Sequence, residues 1–514
     1  MNGFRSIASL TVINGLGAVI GVANTVVLAY LFGTARQIEV YFAAVALLAA
    51  VTQLAQSGQL AEVFLPAFQD VRHRQGRESA FSGFAATANW VCVLTLPLIL
   101  LLWVLAPVLI AWRVPGFSVS DMALGVLFLQ ALLPLFPLEI LSNLIKTVAN
   151  AERWFGVPEM ISVLSRLVGL AAIVAFYQAY DEWALILALW IAQGFQFFGL
   201  VVLLHRKGYR HRLVLSSEYI RAWPLFAKLL KTFPYVIATQ SYLFVLDAAL
   251  SNLPQGTFAV FRYVRQLYSR SSWVFLRPVG VVFFSHFSNA NVTGGHDLQR
   301  MAREALAQIL AVCSLVVLAV AVSSSIIVRV LWSSDRFGDA LLQTAAVLLP
   351  LMFALLFADA IALIMRRITV SLGFVGRQYV GATIVQIISA AAVFLLVSRY
   401  GVTGAVSVLY VNCLGMALAS YLVLCIWKRD LALLFSFDCV WRWAVSAGLG
   451  YGVVRLAAAH PEWPDIADLT RFENLGLGAV TVAAACGTAL IIGWLLNIAE
   501  VRFIAAKIVN RLIR

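Results

Sequence analysis

Long apolar runs separated by short polar breaks repeat along the whole chain. Fourteen such runs centre near residues 20, 50, 98, 133, 168, 194, 240, 270, 315, 353, 388, 414, 448 and 484. A helix of about 20 apolar residues crosses roughly 30 Å of hydrocarbon, and each run supplies about that length. Several contain Pro or Gly, which membrane helices tolerate where neighbours re-satisfy the freed backbone. The pattern predicts an all-α polytopic membrane protein of about 14 transmembrane helices. The start, "MNGFRSIASLTVINGLGAVIG", has a basic residue before an apolar run, as a signal peptide would. The run continues through "VANTVVLAYLFG", so it reads as a retained first helix.

Composition agrees with this pattern: 62% of the 514 residues are hydrophobic and 12% charged, which excludes a soluble multidomain protein. The six cysteines, Cys92, Cys313, Cys413, Cys425, Cys439 and Cys486, fall in or at the ends of apolar runs without CxxC or Cys/His spacing. Free thiols are expected, not disulfides, zinc or redox chemistry, and no cofactor is implied. The formal charge of +13 raises the question of nucleic acid, and the placement of the charges answers it. With fourteen spans both termini share one side. The breaks after even-numbered spans hold "VRHRQGRE", "NAERWF", "HRKGYRHRLVLSSEYIR", "HDLQRMAR", "MRRITVSLGFVGR" and "WKRD", whereas the odd-numbered breaks are poor in Lys and Arg: "QAYDEW" and "SNLPQG" hold none, and "HPEWPDIADLTRFEN" is mostly acidic. The positive-inside rule then puts both termini and the even breaks in the cytoplasm and accounts for the excess charge without nucleic acid. No loop is long enough to fold as a catalytic domain, so function is expected among the helices.

A faint internal repeat divides the chain. Setting "AYLFGTARQIEVYFAAVALL" over "AALSNLPQGTFAVFRYVRQL", and "EVFLPAFQDV" over "VVFFSHFSNA", needs one constant offset of 219 residues, which also puts Phe155 on Phe374. Spans 1 to 6 thereby pair with spans 7 to 12, a common transporter plan with the substrate site between parallel halves. The expected organisation is an N-lobe over 1–220, a C-lobe over 221–430, and helices 13 and 14 with a basic amphipathic segment over 431–514. Within that segment the tail "IAEVRFIAAKIVNRLIR" is expected either along the interface, touching anionic lipid, or as a solvated helix end.

The eighth span, "FRYVRQLYSRSSWVFLR", carries Arg262, Arg265, Arg270 and Arg277. On a 3.6-residue helix these, with Gln266, Ser269 and Ser272, share an arc of roughly 160°, opposite Val264, Leu267, Tyr268, Val274 and Phe275. From Arg262 to Arg277 the helix covers roughly 22 Å at about 1.5 Å per residue. An Arg at mid-membrane costs about 2.5–3.5 kcal/mol, so four facing lipid would cost on the order of 10 kcal/mol. One reading is a water-filled cationic cavity for a phosphorylated headgroup, since guanidinium forks bind phosphate oxygens in pairs. The other is that Arg262 and Arg277 snorkel to opposite interfaces while two arginines form internal ion pairs. Among the intramembrane acids, Asp247 in "SYLFVLDAALSN" either pairs with an arginine or binds Na⁺ or H⁺ as a coupling ion.

Several stretches resemble the MurJ (MviN) family of the multidrug/oligosaccharidyl-lipid/polysaccharide exporter superfamily. They are "VVLAYLFGTARQIEVYFAAVALL", "LAEVFLPAFQDVRHRQG", "ALLPLFPLEILSNLIKTVANAERWFGVPEM" and "LDAALSNLPQGTFAVFRYVRQL", together with the fourteen-span layout. The family's Phe-Gly, acidic residue and Phe-x-Pro correspond to Phe32 and Gly33, Glu39, and Phe64 and Pro66. The resemblance implies two pseudo-symmetric six-helix lobes around a central cavity, with helices 13 and 14 forming a groove for a lipid tail. It implies a multi-pass flippase of the bacterial inner membrane, not an enzyme, moving an undecaprenyl-pyrophosphate-linked sugar by alternating access. The cargo would be lipid II or an exopolysaccharide repeat unit. Substrate-binding residues would be Arg262, Arg265, Arg270, Arg277, Gln266 and Glu39. Ion coupling, to Na⁺, H⁺ or the membrane potential, would involve Asp247, Gln386 and Asn412.

The family's cavity arginines of helices 1 and 2 are replaced by Ala18, Asn24 and Thr52, and its helix 8 acid is lost at Ser269. Positive charge is thus concentrated on the eighth span. A multidrug-type ion-coupled exporter would want acidic cavity residues, and a membrane glycosyltransferase would need a carboxylate cluster of the DxD type that the sequence lacks. A non-transporting scaffold in an envelope-synthesis complex remains a further reading.

Overall fold

The computed structural model describes residues 2–56, 60–152, 154, 156–215, 233–293, 296–427, 437–459, 464, 469–496, 498 and 501. Among them are fifteen helices: α1 (Asn2–Phe32), α2 (Arg36–Gln56), α3 (Leu60–Gln75), α4 (Arg77–Arg113), α5 (Val119–Leu132), α6 (Leu135–Ala151), α7 (Gly156–Tyr180), α8 (Trp183–Arg206), α9 (Phe233–Ser251), α10 (Thr257–Thr293), α11 (His296–Trp332), α12 (Asp339–Ser371), α13 (Val375–Trp427), α14 (Phe437–Ala458) and α15 (Arg471–Leu495). The basic tail with Arg502, Lys507, Arg511 and Arg514 lies outside the described residues, as do Lys228 and Lys231.

Helices occur at all fourteen expected places. Ten are long and apolar enough to cross a membrane, and the bent pair α5 and α6, which turns by 43° at Leu133–Pro134, makes an eleventh span. The continuous α13 is two arms meeting at Gly401, whose φ of 57° and ψ of −134° are not helical. By composition α10 falls outside this set because of its arginines, and the described side chains of α14 include the apolar stretch Val445–Ala458. The molecule is a multi-pass membrane protein.

The 219-residue offset recurs in the helix bounds. It carries Arg77–Arg113 of α4 onto His296–Trp332 of α11, the end of α1 at Phe32 onto the end of α9 at Ser251, and the start of α7 at Gly156 onto the start of α13 at Val375. Repeating apolar lengths therefore dictate a repeated architecture even where few side chains coincide.

The chain separates into two compact units, Met1–Ala259 and Val260–Arg514. Within the first unit α9 packs on α2 and α4. In unit 1, Phe64, Phe68, Phe81, Phe84, Ile145 and Leu204 form a core that closes one end of the helices. A smaller cluster in unit 2 contains Leu306, Ile364, Ile368 and Leu424, and Ile364 lies at the repeat position of Ile145. Helices α14 and α15 dock on α11, where Leu318, Val454, Ala485 and Ala489 are buried together. Small residues let these membrane helices approach closely, which replaces the missing hydrophobic drive in lipid. Thr470 begins α15 with a capping box, its side chain accepting from the Glu473 amide while Glu473 accepts from the Thr470 amide. Cys92, Cys313, Cys413, Cys425 and Cys486 are free thiols.

Candidate functional site

Helix α10 has two unlike faces. Tyr263, Val264 and Tyr268 are buried, and Tyr263 packs against the stacked pair Trp332 and Phe337 with ring centroids 6.0 Å from each. Arg262, Arg265 and Gln266 are partly buried, whereas Ser269 and Arg270 are exposed. Trp273 and Val274 are exposed as well, so the apolar half is not buried along its whole length. An apolar side chain facing lipid carries no penalty, which is why a wheel alone misplaces such positions. The side chain of Arg277 lies outside the described residues.

Glu39, which opens α2, is fully buried. Its Oε2 accepts from Arg36 Nη1 at 2.7 Å, and its Oε1 accepts from the amides of Gly256 and Ala259 at 3.0 and 3.1 Å. These amides belong to the start of α10, where helical N–H groups lack partners and the helix dipole is positive, so a carboxylate is stabilised there. The positive φ of Gly256, 89°, turns the chain so that its amide reaches this carboxylate. Arg36 is in turn held over the Phe117 ring, 4.5 Å from its centroid, and 3.8 Å from Asp121. Glu39 thus anchors the first turn of the arginine helix. Glu39→Ala is expected to cost about 2 kcal/mol at these amides, since hydrogen bonds to a charged group are lost. Hydrogen exchange at Gly256 and Ala259 checks this, with roughly thirtyfold faster exchange expected.

Asp247 forms a buried ion pair with Arg113, the last residue of α4; the two side chains are 1% and 3% exposed. The Arg113 guanidinium also lies 5.2 Å from the Phe244 ring centroid. Of the two alternatives for Asp247, the described geometry contains the arginine pair. Gln386 and Asn412 are brought together: Asn412 Nδ2 donates to Gln386 Oε1 at 2.9 Å and lies 3.1 Å from Ser389 Oγ. These bonds, with Gln378 donating to Ser420 at 2.8 Å, tie the two arms of α13.

Unit 2 holds a second polar centre that the helical spacing of the sequence does not reveal. Asp359 of α12 accepts from the Tyr268 hydroxyl through Oδ2 and from the Cys413 thiol through Oδ1, the latter at 2.9 Å. Arg265 lies within electrostatic reach of Cys413. The two oxygens of the Asp359 carboxylate are thus held by neutral donors on different helices, and Arg265 of the α10 face lies within electrostatic reach of one of those donors. Unit 1 has a related arrangement, where Thr52 of α2 donates to Glu139 of α6 at 3.1 Å; at the 219-residue offset the acid falls one position and the donor three positions from Asp359 and Tyr268. Lys146 lies within electrostatic reach of Glu159, Arg166 and Glu139.

Both units thus bury polar networks inside apolar helices, the arrangement expected of proteins that move polar cargo or ions. The comparisons with known proteins fit this picture. The solved structure of lipid II flippase MurJ in an inward closed conformation superposes with a TM-score of 0.78 at 16% identity, covering 98% of this chain and 99% of that one. An inward-facing multidrug resistance MATE family transporter of the MOP superfamily superposes with a TM-score of 0.61 at 12% identity, over 84% of this chain and 98% of that one. These likenesses establish the fold. A probable lipid II flippase MurJ of Buchnera aphidicola subsp. Schizaphis graminum (strain Sg) is 23% identical over 204 residues, 39% of each chain, so the alignment covers well under half of that relative. The family model for lipid II flippase MurJ matches residues 28–458. With that match spanning most of its length, the chain belongs to the MurJ lipid II flippase family, a family of transporters and not of enzymes.

Proposed function

We propose that the protein flips an undecaprenyl-pyrophosphate-linked sugar precursor, lipid II or an exopolysaccharide repeat unit, across the bacterial inner membrane by alternating access. The observation that carries this reading is the α10 face with Arg262, Arg265, Gln266 and Arg270, in a chain of the MurJ family. Guanidinium groups pair with phosphate oxygens through parallel N–H donors, so this face suits a pyrophosphate better than a cation. Sugar hydroxyls would be met by Gln266 and Ser269. The basic even-numbered breaks favour a cytoplasmic side for both termini, and the charge of the basic tail suits anionic lipid.

Movement of α10 would start from its first turn, where Glu39 holds the amides of Gly256 and Ala259. Any swing of the arginine face that lifts this turn must break those bonds, so Glu39 acts as a latch and not as a direct grip on the headgroup. Resetting would draw on the membrane potential or on an ion. The Arg113–Asp247 pair and the Gln386–Asn412 pair are the polar elements available to such an ion.

Complementation tests the cargo. Expressed in a bacterium depleted of its own lipid II flippase, the protein is expected to restore growth if lipid II is carried. Failure there, with restored export of a surface polysaccharide in a strain lacking that exporter, assigns the exopolysaccharide precursor. Failure of both, with the protein present in the membrane, contradicts the flippase reading.

A further inference from the structure

The end of unit 1 that holds the aromatic core carries a cationic cavity of about 350 Å³, lined by Arg77, Glu78, Phe81, Tyr209, Arg210 and Arg212 among others. It is made by a short strap. After α8 ends at Arg206, residues 209–215 run back along the first turns of α4. Asn89 Nδ2 donates to the carbonyls of Arg212 and Val214 at 3.0 Å each, and the Trp90 indole donates to the Leu215 carbonyl at 2.8 Å. Tyr209 anchors the strap, its ring 5.4 and 5.2 Å from those of Phe81 and Phe84, and its hydroxyl 2.9 Å from His211 Nδ1. Burial pushes the Tyr209 phenol above its ordinary range, so it stays neutral beside the arginines.

The charges around the cavity are unequal. Arg77 is held by Glu152 at 3.1 Å and by the Lys207 carbonyl at 3.2 Å, and Arg212 by Glu78 at 3.1 Å. Arg210 is exposed and has no acidic partner among the described residues. The strap also holds Leu213 and Leu215 outward, 92% and 53% exposed, beside the 39% exposed Trp90. Indole rings favour the boundary between hydrocarbon and headgroups. The cavity-lining residues of α4 lie five to thirteen positions before Trp90, or roughly 8–20 Å toward water at about 1.5 Å per residue. With Trp90 at that boundary, the apolar side chains of the strap would meet the acyl chains and Arg210 the phosphate layer.

We infer that this cavity binds the phosphate group of an anionic phospholipid, with Arg210 as the free cation and Arg77 and Arg212 as its flanking donors. The site is built from residues of unit 1 alone, none of them an α10 arginine, and does not depend on what α10 carries. It fixes the strap, and with it the joined ends of α4 and α8, to the membrane surface.

The test is native mass spectrometry of the full-length protein with phosphatidylglycerol or phosphatidylcholine added, for wild type, Arg210→Ala, Arg210→Glu and, as an exposed control that does not line the cavity, Arg399→Ala. Retention of phosphatidylglycerol over phosphatidylcholine is expected in wild type and in Arg399→Ala. It should fall about fivefold in Arg210→Ala, the effect of one surface cation on an anionic lipid, and further in Arg210→Glu. Equal loss in Arg210→Ala and Arg399→Ala would reduce the effect to diffuse charge and overturn the site. Displacement of phosphatidylglycerol by millimolar inorganic phosphate would assign the cavity to a soluble phosphate and overturn the lipid source.

Discussion

Asp247→Ala is expected to destabilise the protein by about 3–5 kcal/mol, the cost of leaving one member of a buried ion pair without its counter-charge. Arg113 would lose its carboxylate while its side chain stays 3% exposed at the end of α4, 5.2 Å from the Phe244 ring centroid. Desolvation makes such a pair a weak net source of stability, and the same desolvation makes half of the pair costly. The thermal unfolding midpoint in detergent should therefore drop sharply for Asp247→Ala and for Arg113→Ala. The double variant should recover part of the loss, because it buries no lone charge. A midpoint for Asp247→Ala equal to wild type would mean that the pair is solvated in the folded protein. Added Na⁺ separates the alternatives: if Asp247 also binds the ion, Na⁺ should raise the wild-type midpoint and leave Asp247→Asn unchanged.

The second large effect concerns the cargo. Arg265→Ala and Arg270→Ala each remove a charged donor from the α10 face, and a charge-assisted hydrogen bond to phosphate contributes about 1.5–3 kcal/mol. Each variant is expected to weaken binding of a pyrophosphate-linked glycan roughly 10- to 100-fold. Lysine at either position should recover only part of this, since a point charge cannot form the paired fork. Arg265 has a second neighbour in the Asp359 centre, linked through Cys413. Asp359→Asn distinguishes the two roles. It should leave headgroup affinity near wild type if Arg265 acts on the cargo directly, and lower it about as much as Arg265→Ala if the centre serves to position Arg265. Titration with the lipid-linked glycan and with its dephosphorylated analogue reads both.

Much of the architecture was legible because one physical requirement, crossing hydrocarbon, writes itself into long apolar runs. Even the repeat was readable: the offset seen in a few identities carries the bounds of α4 onto those of α11. Helix α10 was visible through its arginines, whose spacing needs no tertiary information. What stayed hidden depends on partners far apart in sequence. Tyr268 falls on the apolar side of the helical wheel, yet its hydroxyl is aimed at Asp359, which only the packing of α10 against α12 brings near. Glu39 was conspicuous as an acid in a membrane span, but its occupation by the first turn of α10 depends on how Gly256 turns the chain. The strap over residues 209–215 looked like an ordinary basic break, because nothing in its sequence says that Asn89 and Trp90 will hold its carbonyls.

The central claim is that the arginine face of α10 carries a pyrophosphate-linked glycan across the membrane. Proteoliposomes holding fluorescently labelled lipid-linked glycan test it directly, by the fraction of label that becomes accessible to a membrane-impermeant reagent over time. Wild type should translocate the pyrophosphate-linked glycan, and the Arg265→Ala/Arg270→Ala double variant, folded to the same unfolding midpoint, should not. Equal rates for the two proteins, or no translocation by wild type of either lipid II or an exopolysaccharide precursor, would contradict the account.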